Sequence, residues 1–248
     1  MITRSNDYVE YCRETAKRAR DPRDLALRGR EKKEVTMLVH RQIAEAVDLR
    51  AGDDLVDIGC GDGTMLRIAD AAGAKSAIGL LATEEEVAVL RRVGLNAKQA
   101  LTNQLPLPDT SASVIVCNSV LLVVPREQIP ASLHEIQRIA KPGARIFLGE
   151  IPYQEQHDPT PQFATRRELL SYLYRKHGFR TWFGMVRRMA YRQLTGQPAL
   201  INSGTAISFW APAEEFIAMA EAAGLQFVRH WQCWQYTTRN NYLFRKPE

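Results

Sequence analysis

Leu55-Val56-Asp57-Ile58-Gly59-Cys60-Gly61-Asp62-Gly63 is the stretch on which the fold turns. Leu55–Ile58 reads as a short apolar strand. Gly59, Gly61 and Gly63 alternate behind it, so the backbone can turn sharply and approach a ligand closely. Thr64–Ala72 has helical spacing, and a helix start presents free N–H groups. Two common phosphate loops are excluded by spacing. The dinucleotide fingerprint needs glycine at position 64, where Thr64 stands, and the Gly-Lys-Ser/Thr of the Walker loop is absent.

Outward from this loop, strand and helix alternate. Ser76–Leu81 reads as a second strand. Thr83 fits an N-cap, with Glu84, Glu85 and Glu86 in the first turn, where the helix dipole favours acids. A third strand is expected near 97–100. Leu105-Pro106-Leu107-Pro108-Asp109 is a rigid loop. Ser113–Cys117 is continuously apolar, as buried parallel strands tend to be. A helix over Arg126–Ala140 is stopped by Lys141-Pro142-Gly143, and Arg145–Glu150 is a fifth strand. Upstream, 7–49 reads as helical with a break at Asp21-Pro22. Downstream, helices are expected over about 165–177 and 179–195, then a helix over Pro212–Ala223. Strands over Leu225–Trp231 and Tyr236–Arg245 close the chain as an antiparallel hairpin. The alternation argues for a parallel sheet with helices on both faces.

These pieces together resemble class I S-adenosylmethionine-dependent methyltransferases, of the type 11/12 kind that act on small molecules. Leu55–Gly63 is similar to the family's first motif, and Ile78–Leu81 to the end of its second strand. Leu105–Asp109 is similar to the loop before the fourth strand, and Ala140–Ala144 to the turn before the fifth. Glu214–Val228 and Asn241–Lys246 resemble its closing helix and strands. The resemblance covers roughly 40–150 and 210–248. It implies a Rossmann-like, doubly wound, mostly parallel α/β sheet of seven strands with the last antiparallel. It also implies one domain: a helical lead (1–50), a cofactor-binding core (51–150), a helical substrate cap (151–210) and a closing segment (211–248).

The implied cofactor is S-adenosylmethionine, lying across the strand carboxyl ends as ligands do in open α/β sheets. By the resemblance, Asp57, Gly59, Cys60, Gly61 and Gly63 floor the methionine side. Leu80 and Leu81 meet the ribose, Leu101 and Thr102 flank the adenine, and Asn118 opens toward the methionine moiety. Tyr8 and Tyr11 either fold over the cofactor, as N-terminal aromatics do in relatives, or serve the core. An acceptor hydroxyl needs a base. Glu150 ends the fifth strand where family acceptor sites lie, and Tyr153 and His157 follow it. Each has an ordinary structural alternative.

The sequence departs from the family at acidic positions. The carboxylate that usually holds the ribose hydroxyls is replaced by Leu81, the acid near the adenine by Leu101, and Phe-Asp before the fourth strand by Ala112-Ser113. Three readings stay open: a substitute carboxylate from Glu84 or Glu85, a cofactor held by backbone and apolar contacts, or a site that has lost its cofactor.

Composition bears on the acceptor. The 248 residues carry a net charge of +5, with 45% hydrophobic and 25% charged residues, which excludes disordered and fibrous classes. The charge is uneven. Residues 165–192 hold eight Lys/Arg and one acid, residues 1–33 ten and six, leaving −6 for the rest. All but Tyr8, Tyr11 and Phe147 of the twenty aromatics lie from Tyr153 onward. Arginine forks suit an anionic, lipid- or nucleotide-linked acceptor. Trp182 and its neighbours also suit peripheral contact with an anionic membrane, and a simple amphipathic cap accounts for the same pattern. The short basic stretch on an acidic body argues against nucleic acid, leaving an RNA methyltransferase as a further alternative. A non-catalytic binding subunit is the rival class.

The four cysteines form no CxxC pair or Cys/His cluster, so neither a metal site nor a disulfide framework is indicated. Free thiols fit a reducing cytoplasm. The N-terminus lacks a secretory h-region, and no apolar run approaches the ~20 residues that span a bilayer. A cytoplasmic location is the expectation.

Overall fold

The computed structural model describes residues 4–25, 33–154, 208–233 and 238–248, and individual positions between 171 and 194. Only the backbone is described at 4–7, 11 and 33–35. The chain divides into two compact units, Met1–Glu155 with Ile207–Glu248, and Gln156–Ala206.

In the first unit, α1 (Arg4–Arg18) and α2 (Lys33–Ala46) flank a 3₁₀ turn at Pro22–Leu25. Then come β1 (Asp54–Ile58), α3 (Thr64–Ala71), β2 (Ser76–Leu81), α4 (Glu84–Arg92), β3 (Ala97–Gln99) and β4 (Ala112–Asn118). α5 (Ile129–Ile139), β5 (Ala140–Pro152), α6 (Ala213–Ala222), β6 (Gln226–Gln232) and β7 (Arg239–Arg245) complete it. The strands form one seven-stranded sheet in the order β3-β2-β1-β4-β5-β7-β6. β3 through β5 pair in parallel, while β7 is antiparallel to both β5 and β6.

The central strands β1 and β4 are buried on both sides, which is why they read as unbroken apolar runs. Ile115 and Cys117 point into a core completed by Leu133 and Ile136 of α5 and Phe216 of α6. Val114 and Val116 point the other way, against Ile43 and Val47, Met65 and Leu66, and Val87 and Leu90. One strand thus serves two cores through its period of two. The chain winds outward in opposite directions from β1 and β4, and this reversal opens a crevice beyond their carboxyl ends.

The expected stop at Lys141–Gly143 differs from the structure. α5 ends at Ile139, and Ala140–Gly143 already belong to β5, with Ala140 paired to Ala112. Pro142 cannot continue a helix. Extension is fixed by Lys141 Nζ on Asp54 at 2.5 Å and by the Gly143 N–H donating to the Lys246 carbonyl at 2.9 Å. A 3₁₀ turn at Arg126–Gln128 precedes α5. Ser113, in place of the familiar acid, is used structurally. Its hydroxyl donates to Asp53 at 2.8 Å and accepts the Asp54 N–H at 2.9 Å.

In the second unit the described positions from Ser171 to Leu194 are helical. Phe179 packs beside Trp182 at 5.8 Å between ring centres and beside Phe183 at the same spacing. Among the described residues of the chain, no helix is long and apolar enough to cross a membrane.

Candidate active site

The crevice is built from the segments that leave β1, β2, β3 and β4. Gly59 follows β1 with φ +73°, a backbone that L side chains avoid, and a methyl there would overlap Val120. Gly61, at φ +51°, has open space where its Cβ would stand. The loop is held by the Gly59 N–H donating to the Leu80 carbonyl at 2.7 Å. Asp62 accepts from the Thr64 N–H and hydroxyl at 2.9 and 2.6 Å, fixing the start of α3.

A cavity of about 360 Å³ lies over this loop. Its lining includes Gly59–Asp62, Leu80–Ala82, Ala100–Asn103 and Asn118–Val120, together with Tyr8, Cys12, His40, Glu86 and Glu150. That volume is within the range of small-molecule sites. Thr102 is tied to α5 through the Ser132 hydroxyl at 2.8 Å. The Leu105–Asp109 loop behind it is clamped by Arg138, which donates to the carbonyls of Leu105 and Leu107, each at 2.9 Å.

Asp57 lies outside the residues that line this cavity. It is buried, its Oδ2 has no hydrogen-bond partner among the described residues, and its carboxyl is pushed up to about 7 by burial and then by Asp62. Burial disfavours the charged form.

Glu150 lines the same cavity. Its backbone has φ +59°, rare for a residue with a side chain, and its N–H donates to Asn241 Oδ1 at 3.0 Å. Oε2 accepts from Arg239 Nη1 at 3.0 Å, and Oε1 from Asn118 Nδ2 at 3.4 Å. A second cavity, of about 540 Å³, continues beyond it. Phe147, Val39 and Ile43 give it apolar walls, and Gln42, Asn241 and Arg229 polar ones. The Arg229 guanidinium lies 4.9 Å from the centre of the Trp231 ring. Asn118 and Glu150 line both cavities.

Comparison with known proteins adds the family. Residues 56–148 match the family described as "Methyltransferase domain". Over 126 residues the chain is 30% identical to a malonyl-[acyl-carrier protein] O-methyltransferase of Serratia marcescens, covering 49% of each. Over 121 residues it is 33% identical to a demethylmenaquinone methyltransferase of Symbiobacterium thermophilum, covering 45% of this chain and 47% of that one. The chain thus spans about half the length of the curated relatives it matches. Among solved structures, the [4+2]-cyclase SpnF superposes with a TM-score of 0.59 at 16% identity, over 87% of this chain and 82% of that one. A SAM dependent methyltransferase from Aquifex aeolicus superposes with 0.54 at 17% identity, over 92% and 100%. At such identity the superpositions speak for the fold alone, which agrees with the sheet expected from sequence.

S-adenosylmethionine, the cofactor of this domain class, is a cationic ligand with a buried-diol nucleoside to accommodate. The methyltransferase domain fits it. The open space at Gly61 and the apolar lining by Leu80, Leu81 and Leu101 suit its amino-acid part and its adenine. The residues that would hold it are Gly59–Asp62, Leu80, Leu81, Leu101, Thr102 and Asn118.

The residues expected from sequence are placed as follows. Gly59, Cys60, Gly61, Leu80, Leu81, Leu101, Thr102, Asn118 and Glu150 line the first cavity, and so does Tyr8. Asp57 and Gly63 lie outside its lining, Gly63 as the N-cap of α3. Tyr153 is half-buried and lines neither cavity. Tyr11 is on α1, but its side chain lies outside the described residues, as do His157 and most of the expected cap helices.

Neither Glu84 nor Glu85 lines the cavity. Glu84 pairs with Arg91 at 2.9 Å and Glu85 with Arg13 at 3.5 Å. Glu86 lines it instead. The signal was present as Thr83-x-x-Glu86, a capping box that turns the third glutamate back toward the strand end. Arg239 and His40 left no comparable trace, because nothing local ties them to the loop.

Proposed function

We propose that this chain transfers the methyl group of S-adenosylmethionine to an oxygen or nitrogen of a small, lipid- or sugar-linked acceptor. One observation carries the reading: Asn118 and Glu150 line both the glycine-floored cavity and the larger one beside it. Donor and acceptor would then meet at a wall that both chambers share. The cofactor supplies an electrophilic methyl on its sulfonium sulfur.

The chain's own part is positioning. Holding two reactants in line supplies much of the rate of such transfers. Asn118 presents its amide at the junction, oriented by Glu150, and both Glu150 oxygens are already engaged by donors. Glu150 orients Asn118 through this bond, and the acceptor's proton leaves to solvent or to a group lining the second chamber. Arg229, stacked on Trp231, suits an acceptor carrying an anionic group.

The acceptor class is supported by the curated relatives, which are named for a malonyl group on a carrier protein and for demethylmenaquinone. In the second unit Tyr174, Phe179 and Phe183 are each more than half exposed beside Arg175 and Arg187. That composition supports peripheral contact with an anionic membrane.

The test is transfer of labelled methyl from S-adenosylmethionine into separate pools of lipid, acyl-thioester, nucleotide-sugar and RNA acceptors. Label in a lipid- or sugar-linked pool is the expected result. Label in RNA alone would overturn the acceptor, and no cofactor binding at millimolar concentration would leave a binding subunit.

A further inference from the structure

We propose that Glu86, on the first turn of α4, is the carboxylate that holds the ribose hydroxyls of the bound nucleoside. The proposal rests on S-adenosylmethionine being the ligand of the first cavity. A ribose brings two neighbouring O–H donors, and each costs free energy if buried without an acceptor. The wall beside the end of β2 offers them little, since Leu80, Leu81, Ala82 and Leu101 are apolar there.

Among the described residues, three carboxylates line the cavity: Asp62, Glu86 and Glu150. Asp62 accepts from the N–H and hydroxyl of Thr64 at the start of α3. Glu150 is engaged by Arg239 and Asn118. Glu86 is the one on the α4 turn that follows Leu81, and it is 6% exposed. Its Oε2 accepts from the Thr83 N–H at 3.1 Å and the Thr83 hydroxyl at 2.9 Å. The Cys12 thiol is a third donor to the carboxylate. A carboxylate has about four acceptor sites, and a thiol is a weak donor that a ribose hydroxyl can displace. The capping box therefore aims the group, while leaving it capacity to bind. Burial raises the Glu86 carboxyl, and the Thr83 hydrogen bonds oppose part of that rise.

Glu86→Gln is the informative variant, because glutamine also completes a capping box and so keeps the helix start. The measurement is calorimetric affinity for S-adenosylhomocysteine and for its 2′-deoxy analogue, with thermal unfolding as a folding control. The parent should prefer the ribose ligand by about tenfold or more, since a site built around a hydroxyl rejects the analogue lacking it. Glu86→Gln should bind S-adenosylhomocysteine about tenfold more weakly and discriminate the two ligands by about twofold or less. The ratio is read within one variant, so it does not depend on the folded fraction. Unchanged affinity and unchanged discrimination in Glu86→Gln would overturn the proposal while leaving the cofactor reading intact. A parent that binds neither ligand would overturn both.

Discussion

The Arg239 guanidinium donates to the Glu150 carboxylate at 3.0 Å, and the two side chains are only 9% and 2% exposed. This buried pair joins the end of β5 to the start of β7 at the junction of the two chambers. Such a pair is worth little against an apolar replacement, but breaking one half is costly. Arg239→Met should lower unfolding free energy by about 3–5 kcal/mol. Glu150→Gln in the same chain should recover much of that loss. Denaturant unfolding of the two single variants and the double variant checks it, and simple additivity would contradict the coupling.

Gly59 is required twice over, by its φ of +73° and by the closeness of Val120. Gly59→Ala should cost about 1–3 kcal/mol in thermal unfolding. Adding Val120→Ala should relieve the overlap but not the backbone strain, so recovery should be partial. Full recovery would show that the conformation itself matters little.

Asp57 makes stability depend on pH in an unusual direction for an acid. Its folded-state value, about 7, lies above the ordinary 3.8 because of burial and then Asp62. The neutral form is the one the fold favours. Its contribution is therefore complete below about 3.8 and lost as pH rises through 7. Three units correspond to about 4 kcal/mol at most. Asp57→Asn should gain stability relative to the parent between pH 4 and pH 8, as read by denaturant unfolding at each pH. Parallel profiles for the two proteins would contradict this.

Thr83 supplies both halves of the α4 start, accepting the Glu86 N–H at 3.3 Å and donating to its carboxylate. Thr83→Ala should cost about 1 kcal/mol of stability. It should also raise hydrogen exchange at 84–87, which Thr83→Ser should largely spare. Equal exchange in Thr83→Ala and the parent would argue against the cap.

The sheet was legible because its signals are local. The glycine loop, the Thr83 cap and the alternating burial of Val114–Cys117 each report on their own neighbours. The site was legible wherever it lies next to those signals, as at Gly59–Gly61, Leu80–Leu81 and Asn118. It failed where partners meet across sequence. Arg239 reaches Glu150 over 89 positions, and Arg138 reaches the Leu105 carbonyl over 33. At the start of α4 the reading was less sharp, since of the three glutamates Glu86 lines the cavity and Glu84 and Glu85 do not. Glu84 and Glu85 satisfy the dipole rule as well as Glu86 does, and only the capping box distinguishes which one turns inward.

The central claim is that the glycine-floored cavity receives S-adenosylmethionine. A crystal structure of the chain with S-adenosylhomocysteine tests it most directly. The nucleoside should lie between Leu81 and Leu101 with its amino-acid part over Gly59–Gly61. A nucleoside seated elsewhere, or a chain that takes up none at millimolar concentration, would contradict the account.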